Sequence, residues 1–439
     1  MSRHERNEFR DEHLVAVGSS WEVSTDDQMV APCNFGPESV DCLSTTLGMP
    51  FTASSPDFCL FAFVGAVLFS VTIIPDDMPI LIFPTQEVDF DALLENYTRQ
   101  IQVRLQKVDF DVLLEDYTRK IQELQARGLW KEDVVKPCEQ MHHHPGLACI
   151  ESSCPRPQPT TPEHNLRSVL STMTEMNHTQ MSLMLGLFPE PPSGKRVMFV
   201  TGASNNHFRE SQILLWNLHE NVFPFISNYT FVYYDLGLLP WQREKVVKDC
   251  RCELRRFPVK LMPPRLQDLR CYAWKPTIIQ ANLPKTDILV WVDTSIRFRN
   301  KTIPQLLDDT ERRGIVRFAG RYSVGQHTLN VTMNYMKEDV CSLAHVIEAH
   351  AGFLMLHNER WIREAVIKPW VACAMSPECM CPRKPGEVLR CNTGIHKYHK
   401  CHRFDQSAIN IILTKLFRDH TSSFYSPYSE YPNVKIVRI

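Results

Sequence analysis

The clearest structural signal in this chain is the stretch Asp287-Ile-Leu-Val-Trp-Val-Asp-Thr-Ser-Ile-Arg-Phe298. Residues Ile288 to Val292 are all apolar, mostly β-branched or aromatic, and run without interruption into Asp293. Such a run, bounded by polar residues, is typical of a strand buried on both faces of a mainly parallel sheet. Ligands bind outside the carboxyl ends of these strands, so Asp293 stands where a ligand would bind. A strand ending in an ordinary aspartate turn gives the same pattern.

Length and charge narrow the functional class. The 439 residues are enough for two to three domains of roughly 150 residues each. The formal net charge is −2, and the sequence has no long block of Lys and Arg. Because nucleic-acid binding needs a basic patch, we expect no nucleic-acid partner. The 15 cysteines favour an oxidising compartment over the cytosol.

An uncharged segment, Phe58–Ile74, is just long enough to span a bilayer as a helix. Every Asn-x-Ser/Thr sequon that we identify follows this segment, at Asn96, Asn177, Asn228, Asn300 and Asn330. We therefore expect a single-pass type II membrane protein with its C-terminal part in the Golgi or ER lumen. A buried core helix is the alternative explanation of the apolar segment.

The chain then divides by composition into four regions. Residues 1–57 lack periodicity and are expected to form a cytoplasmic tail, 58–74 the anchor, 75–193 a stem and 194–439 the luminal domain. The stem contains a repeat, in which Val88–Gln102 recurs as Val108–Gln122, and a proline-rich linker. Each copy has an Asp cap and helical apolar spacing, which predicts two short helices or a self-associating stem that makes a homo-oligomer.

After residue 194, strand and helix patterns alternate. The strand patterns precede Ser204, Asp235 and Asp293, with another between Cys252 and Val259. Helical patterns separate them. This order predicts an α/β domain with a Rossmann-like, mixed and mostly parallel sheet flanked by helices.

A nicotinamide-dependent dehydrogenase is one function that this order allows. The turn Thr201-Gly-Ala-Ser204 follows the first strand, but Asn205-Asn-His207 replaces the glycines that a dinucleotide fingerprint needs. A correctly spaced Tyr-x-x-x-Lys pair is also missing, since Tyr272 and Lys275 are too close. We therefore disfavour this function.

The cysteine-rich segment has two explanations. One explanation is a zinc site formed by cysteines 373, 379, 381, 391 and 401 with histidines 396, 399 and 402, but their spacing matches no standard finger. Twelve cysteines follow the anchor, a number that can pair completely. In an oxidising compartment we favour disulfides.

Six motifs between Lys195 and Ile439 carry a family resemblance. They are Val200-Thr-Gly-Ala-Ser-Asn-Asn-His-Phe208, Tyr234-Asp-Leu-Gly237, Tyr272-Ala-Trp-Lys-Pro276, Val292-Asp-Thr-Ser-Ile-Arg-Phe298, Ala351-Gly-Phe353 and Phe404-Asp-Gln-Ser-Ala408. Together they resemble a group of uncharacterised animal membrane proteins, abundant in nematodes and lancelets, that are similar to GT-A glycosyltransferases.

The resemblance implies donor-binding roles at three strand ends. The turn with Thr201, Gly202 and Ser204 would lie beside the nucleoside, and Asp235 would accept a hydrogen bond from the base or ribose. Asp293 matches the first acid of the Asp-x-Asp motif, which in that superfamily binds a divalent ion such as Mn²⁺ or Mg²⁺ on the donor diphosphate.

The chain departs from this motif at Ser295, which stands in place of the second acid. A carboxylate and a hydroxyl make a weak metal site. Either another residue completes the site at Asp293 or the enzyme works without metal. In the second case Lys275 and Arg297 would supply the positive charge that a departing diphosphate needs.

Asp405 is the candidate catalytic residue. The resemblance implies an acid that faces the active site and acts as a base if the reaction inverts the anomeric centre. Because Asp405 precedes an apolar helical run, it could instead cap that helix.

The sequence thus predicts a glycosyltransferase that uses a nucleotide-sugar donor and a glycan or glycoprotein acceptor. The alternative is a non-catalytic glycoprotein of the same fold that binds glycans or a partner, since fold alone does not confer activity.

Overall fold

A computed structural model describes part of the chain. The described residues are 40–41, 52–53, 109–133, 159–173, 188, 195–299, 302–382, 391, 398, 400–425 and 434–437.

The chain divides into two units, residues 1–87 and 88–439. In the first unit, β1 (Val40–Asp41) pairs antiparallel with β2 (Thr52–Ala53). The predicted anchor, Phe58–Ile74, lies outside the described residues. Within the described ranges, no helix has the length and apolar character needed to cross a membrane.

The second unit is built around a sheet that has six strands among the described residues. They are β3 (Lys195–Ala203), β4 (Tyr229–Asp235), β5 (Glu253–Arg256), β6 (Thr286–Val292), β8 (Ile315–Val316) and β11 (Phe353–His357). Their order is β5-β4-β3-β6-β11-β8. The first four are parallel, and β11 pairs antiparallel with β6 and β8. The prediction of a mixed, mostly parallel sheet is confirmed.

Two smaller antiparallel pairs accompany this sheet, β7 with β12 and β9 with β10. Their strands are β7 (Ile296–Phe298), β9 (Ala319–Ser323), β10 (Ile347–Ala349) and β12 (Val434–Ile436).

Helices cover both faces of the sheet. Those described are α1 (Phe110–Ala126), α2 (Pro162–Leu170), α3 (Phe208–Asn221), α4 (Pro240–Asp249), α5 (Pro264–Gln267), α6 (Trp274–Asn282), α7 (Ile303–Arg313), α8 (Asn330–Tyr335), α9 (Val340–Ala344), α10 (Lys368–Met375) and α11 (Asp405–Phe417).

Burial on both faces explains the uninterrupted apolar run in β6. Leu289 and Trp291 pack into the core layer that contains α6, α10 and α11. Ile288, Val290 and Val292 pack into the opposite layer, which contains α3. All five side chains are fully buried, because successive residues of a strand point to opposite faces. The prediction of a strand buried on both faces is confirmed.

The second repeat copy forms α1 and packs into this core. Asp109 caps the helix, and its carboxylate accepts hydrogen bonds from two backbone amides of the first turn. Leu113, Tyr117 and Leu124 are fully buried, and the Tyr117 hydroxyl donates to the carbonyl of Leu416 in α11. The hydrophobic core therefore includes residues well before the predicted domain start at 194. The first copy lies outside the described residues.

Four disulfides have both cysteines in the described part of the chain. They are Cys250–Cys252, Cys271–Cys381, Cys373–Cys379 and Cys391–Cys401. All five cysteines of the segment 373–401 are paired. The prediction of disulfides in place of a zinc finger is confirmed.

The strand order changes direction between β3 and β6. From β3 the chain adds β4 and β5 on one side, and then returns to place β6 on the other side. In open α/β sheets, ligands bind at the carboxyl ends of the strands beside such a reversal. At this edge Asp293 immediately follows β6.

Candidate functional site

Asp293 presents a carboxylate that is held in place yet accessible. Its backbone amide donates to the carbonyl of Gly352 at 2.7 Å, and the indole Nε1 of Trp291 donates to its Oδ1 at 2.7 Å. The side chain keeps 32% of its accessible surface. A strand-end acid with this exposure can contact a ligand.

Lys275 lies in the first turn of α6 and bridges two acids. Its Nζ is 3.2 Å from Asp293 Oδ1 and 2.6 Å from Asp405 Oδ2, and it donates to the carbonyl of Ala351 at 3.3 Å. The side chain is almost fully buried. Burial alone would lower the pKa of Lys275, but Asp293 and Asp405 raise it above its ordinary value. The side chain is therefore a buried ammonium ion.

Asp405 is the first residue of α11, after the N-cap Phe404. Only 5% of Asp405 is exposed, and burial raises the pKa of its carboxyl, while Lys275 opposes that rise. Its carboxylate contacts Lys275, so the residue both begins the helix and forms an ion pair in the candidate site. A carboxylate with a raised pKa is a better proton acceptor than an ordinary aspartate.

The acid–lysine–acid cluster, Asp293, Lys275 and Asp405, lines a pocket of about 190 Å³. Tyr272 and Phe404, whose ring centroids are 6.1 Å apart, form part of its wall. Drug-sized ligands occupy roughly 300 to 1,000 Å³, so the pocket suits one small group such as a sugar ring.

Two residues beside the cluster have strained backbone conformations. Tyr272 has φ 56° and ψ 14°, and Phe404 has φ 47° and ψ −113°. Bulky residues rarely adopt positive φ, which costs of order 1 to 3 kcal/mol each. Tyr272 precedes Lys275 by one turn, and Phe404 immediately precedes Asp405. Strain of this kind concentrates at functional sites.

Two amide side chains of α11 hold the loop that contacts Asp293. The backbone amide of Ala349 donates to Asn410 Oδ1 at 3.0 Å, and Asn410 Nδ2 donates to the carbonyl of Ala349 at 2.9 Å. Gln406 accepts from the amide of Ala351 at 3.4 Å and donates to buried Glu348 at 2.8 Å. The helix that supplies Asp405 thereby also positions the loop beside Asp293.

The predicted residues of the first strand end do not line this pocket. Thr201 is fully buried, and its hydroxyl donates to the carbonyl of Val292 at 2.7 Å, which ties β3 to β6. A Cβ at Gly202 would lie 3.2 Å from a methyl carbon of Leu236, so close packing explains this glycine. The hydroxyl of Ser204 donates to Asn206 at 2.6 Å.

Asp235 shapes a turn. Its Oδ1 accepts from the amides of Gly237 at 2.8 Å and Leu238 at 2.6 Å, and its Oδ2 pairs with Arg243 at 2.7 Å. Only 2% of the residue is exposed. Both oxygens are engaged, so none is left for the predicted hydrogen bond to a base or ribose.

Arg297 is buried in β7 and points its guanidinium at the backbone. Nη1 donates to the carbonyls of Thr294 and Ile296, and Nη2 donates to the carbonyl of Glu210 at 3.2 Å. The guanidinium is not among the groups that line the pocket. Of the two cations proposed to stabilise a diphosphate, the structure places Lys275 in the pocket.

The described residues do not fit a divalent metal at Asp293. Asp293 Oδ1 already contacts two donors, Trp291 and Lys275, and Ser295 supplies no second carboxylate. In the described part of the chain, the metal-competent cluster is instead formed by His327, Cys391 and Cys401. Those two sulfurs are joined in a disulfide.

Several residues of the site were not predicted as ligands. Trp291 and Asp293 lie two residues apart, a spacing that places side chains on the same side of a strand and so signalled their contact. Gly352 belongs to the motif Ala351-Gly-Phe353, but the sequence does not show why a glycine is needed there. In the structure, a Cβ at this position would lie 2.9 Å from Asp293 Oδ2. Arg403 also lines the wall and carried no periodic signal, whereas His402 beside it was considered as a metal ligand from the sequence.

Comparison with known proteins gives one family match. Residues 168–280 match a family described as "Protein of unknown function (DUF1647)". The matched segment ends within α6 and includes β3, β4, β5 and Lys275. No curated protein sequence matches the chain significantly.

Among solved structures, the chain is similar to several glycosyltransferases. The galactosyltransferase LgtC, solved with donor and acceptor sugar analogues, has 11% identity and a TM-score of 0.32, and the match covers 52% of this chain and 72% of that one. The mannosyltransferase Ktr4p from S. cerevisiae has 10% identity, 70% and 84% coverage and a TM-score of 0.35. Core-mannan synthase A from Aspergillus fumigatus, in a Mn/GDP form, has 8% identity, 54% and 75% coverage and a TM-score of 0.31.

Proposed function

We propose that this chain is a glycosyltransferase that moves a sugar from a nucleotide-sugar donor to a glycan or glycoprotein acceptor. The observation that carries the proposal is the acid–lysine–acid cluster in a pocket at the carboxyl end of β6. This edge of a mixed α/β sheet is where such folds bind nucleotides. The pocket is sized for one sugar ring, and strained backbone flanks two of the three charged residues.

The two acids of the cluster can take different roles in sugar transfer. The acceptor oxygen forms a bond to the anomeric carbon as the bond from that carbon to the diphosphate breaks. Asp405 takes the proton of the acceptor hydroxyl, a role suited to a buried carboxylate with a raised pKa. Asp293, the more exposed acid, orients the donor sugar through its hydroxyl groups.

We further propose that the chain is a type II membrane protein of the secretory pathway. The uncharged segment Phe58–Ile74 and the disulfides support this location. Sequon residues Asn228 and Asn330 are both exposed, as glycosylation requires. Loss of mass on enzymatic deglycosylation, together with protection from protease in sealed vesicles, is the expected result. Unglycosylated protein that external protease digests would contradict it.

The functional test is release of nucleoside diphosphate by the purified full-length chain from a panel of nucleotide sugars. We expect turnover with at least one donor, and we expect Asp293→Ala to abolish it. Asp287→Ala is the matched control, because Asp287 is an exposed acid at the other end of the same strand. Absence of donor binding across the panel would contradict the proposal.

A glycan-binding protein without catalysis is the second candidate. Ser295 in place of a second acid favours it, because the donor-metal motif is incomplete. Nucleotide-independent glycan binding without turnover would support this function over the first.

A further inference from the structure

We propose that the ammonium group of Lys275, together with the guanidinium of Arg403, takes the place of a divalent cation in this site. The inference rests on the proposed function and specifies how the departing diphosphate is stabilised. It predicts sugar transfer that does not depend on metal.

The position of Lys275 is the first argument. Its Nζ lies 3.2 Å from one carboxylate and 2.6 Å from the other, so a single cation bridges Asp293 and Asp405. A divalent ion between two acids would occupy the same location. The side chain is 2% exposed and also donates to the carbonyl of Ala351, so three acceptors hold the ammonium group in this position.

Charge and crowding at Asp293 are the second argument. Oδ1 already contacts Trp291 Nε1 and Lys275 Nζ. Oδ2 lies so close to the backbone of Gly352 that a Cβ added to this glycine would be 2.9 Å from it. A divalent ion bound here would also stand beside the ammonium group, and like charges at that distance repel strongly in a partly buried site.

Arg403 supplies the third argument. It lines the same pocket, and its buried Nε has no hydrogen-bond partner. A guanidinium donor without a partner at a pocket wall is suited to an anionic ligand such as phosphate. Lys275 and Arg403 each bring one positive charge to the pocket, and the buried carboxylate of Glu348 offsets part of the charge of Arg403.

In the resulting step, the bond between the anomeric carbon and the diphosphate oxygen breaks, and its electron pair passes to that oxygen. Lys275 and Arg403 stabilise the new negative charge. The acceptor oxygen bonds to the anomeric carbon, and its proton passes to Asp405. No further reactant is required.

The test combines metal binding with turnover in the full-length chain. After dialysis against EDTA, the wild type should keep turnover within twofold, and Mn²⁺ titration followed by electron paramagnetic resonance should show no site that depends on Asp293. Lys275→Met should gain Mn²⁺ affinity at least tenfold, because Asp293 and Asp405 then face each other without a counter-ion. Lys275→Met combined with Asp293→Asn should lose that gain, and exposed Lys248→Met should show none.

Arg403→Gln provides a second variant that does not disturb the Lys275 ion pairs. We expect at least tenfold weaker binding of UDP or GDP in EDTA, measured by calorimetry. Micromolar Mn²⁺ binding by the wild type that Asp293→Ala removes, or turnover abolished by EDTA and restored by Mn²⁺, would overturn the inference. If no nucleotide sugar is turned over, the proposed function fails, whereas the Mn²⁺ titrations still decide the role of Lys275.

Discussion

Asp235 and Asp293 end two strands of the same sheet, and both were predicted to bind the donor. At the end of β4, Asp235 is 2% exposed, and its oxygens are occupied by Gly237, Leu238 and Arg243. At the end of β6, the Asp293 side chain is 32% exposed, contacts Lys275 at 3.2 Å and lines a pocket. A strand-end aspartate is therefore available to a ligand when the backbone amides that follow it do not bind its carboxylate and part of the carboxylate stays exposed.

The largest difference between these two acids should appear in turnover. Asp293→Asn keeps the size of the side chain but removes its charge, and we expect kcat/KM to fall by about 10²- to 10³-fold, as for other loss of electrostatic stabilisation. The free energy of unfolding should change little, because the residue is partly solvated. Asp287→Asn serves as the control, and normal turnover of Asp293→Asn would show that the exposed acid is not part of the site.

Asp235→Ala should mainly affect stability. Removing one partner of a buried ion pair costs about 3 to 5 kcal/mol, and we expect about 3 kcal/mol because Arg243 keeps 38% exposure. Urea unfolding measures this loss. Below the unfolding transition, turnover should stay near that of the wild type. A selective loss of donor affinity in a fully folded variant would restore Asp235 as a ligand.

The pocket at Asp293 also contains a buried histidine, which should make stability depend on pH. Burial lowers the pKa of His402 from 6.5 to about 4. The unfolded chain therefore binds the proton first as pH falls, so this contribution to stability is full above the unfolded pKa and is lost below it. We expect a loss of about 2 kcal/mol between pH 7 and pH 5. His402→Gln should reduce that slope in urea titrations at several pH values, and an unchanged slope would contradict the assignment.

Two glycines, Gly352 beside Asp293 and Gly202 in β3, should differ in the same way but with smaller effects. A Cβ at Gly352 would lie 2.9 Å from Asp293 Oδ2, so Gly352→Ala must displace the carboxylate and should lower turnover about tenfold. A Cβ at Gly202 would lie 3.2 Å from Leu236, so Gly202→Ala should cost about 1 kcal/mol of stability. Turnover and thermal unfolding of both variants test this. Equal effects of the two substitutions on turnover would contradict the claim that the end of β6 is in the site and the end of β3 is not.

Much of the fold could be predicted because its signals are local. The apolar run from Ile288 to Val292, the alternation of strands and helices, and the cysteine content led to a mixed sheet and to disulfides, and both are present. The predicted third strand, Cys252–Val259, is shorter as β5, because its neighbour β4 ends at Asp235, which pairs with Arg256. The boundary at 194 overlooked α1 and α2, because helical periodicity does not reveal which surface an apolar face covers.

The candidate site was less predictable. Asp293, Lys275 and Asp405 were all proposed, but so were Thr201, Asp235 and Arg297, whose polar atoms bond within the protein. No pattern in the sequence separates these groups. The difference lies in neighbours that are distant along the chain.

The sequence by itself determined the buried strand β6 and the acid at its exit, because an uninterrupted apolar run and the polar residue that ends it are adjacent in the sequence. Only the tertiary structure decided that Lys275 bridges Asp293 and Asp405, since three separate elements bring these charges together. The physical reason is that ion pairing depends on distance and burial in space. Both quantities are set by how α6, β6 and α11 pack.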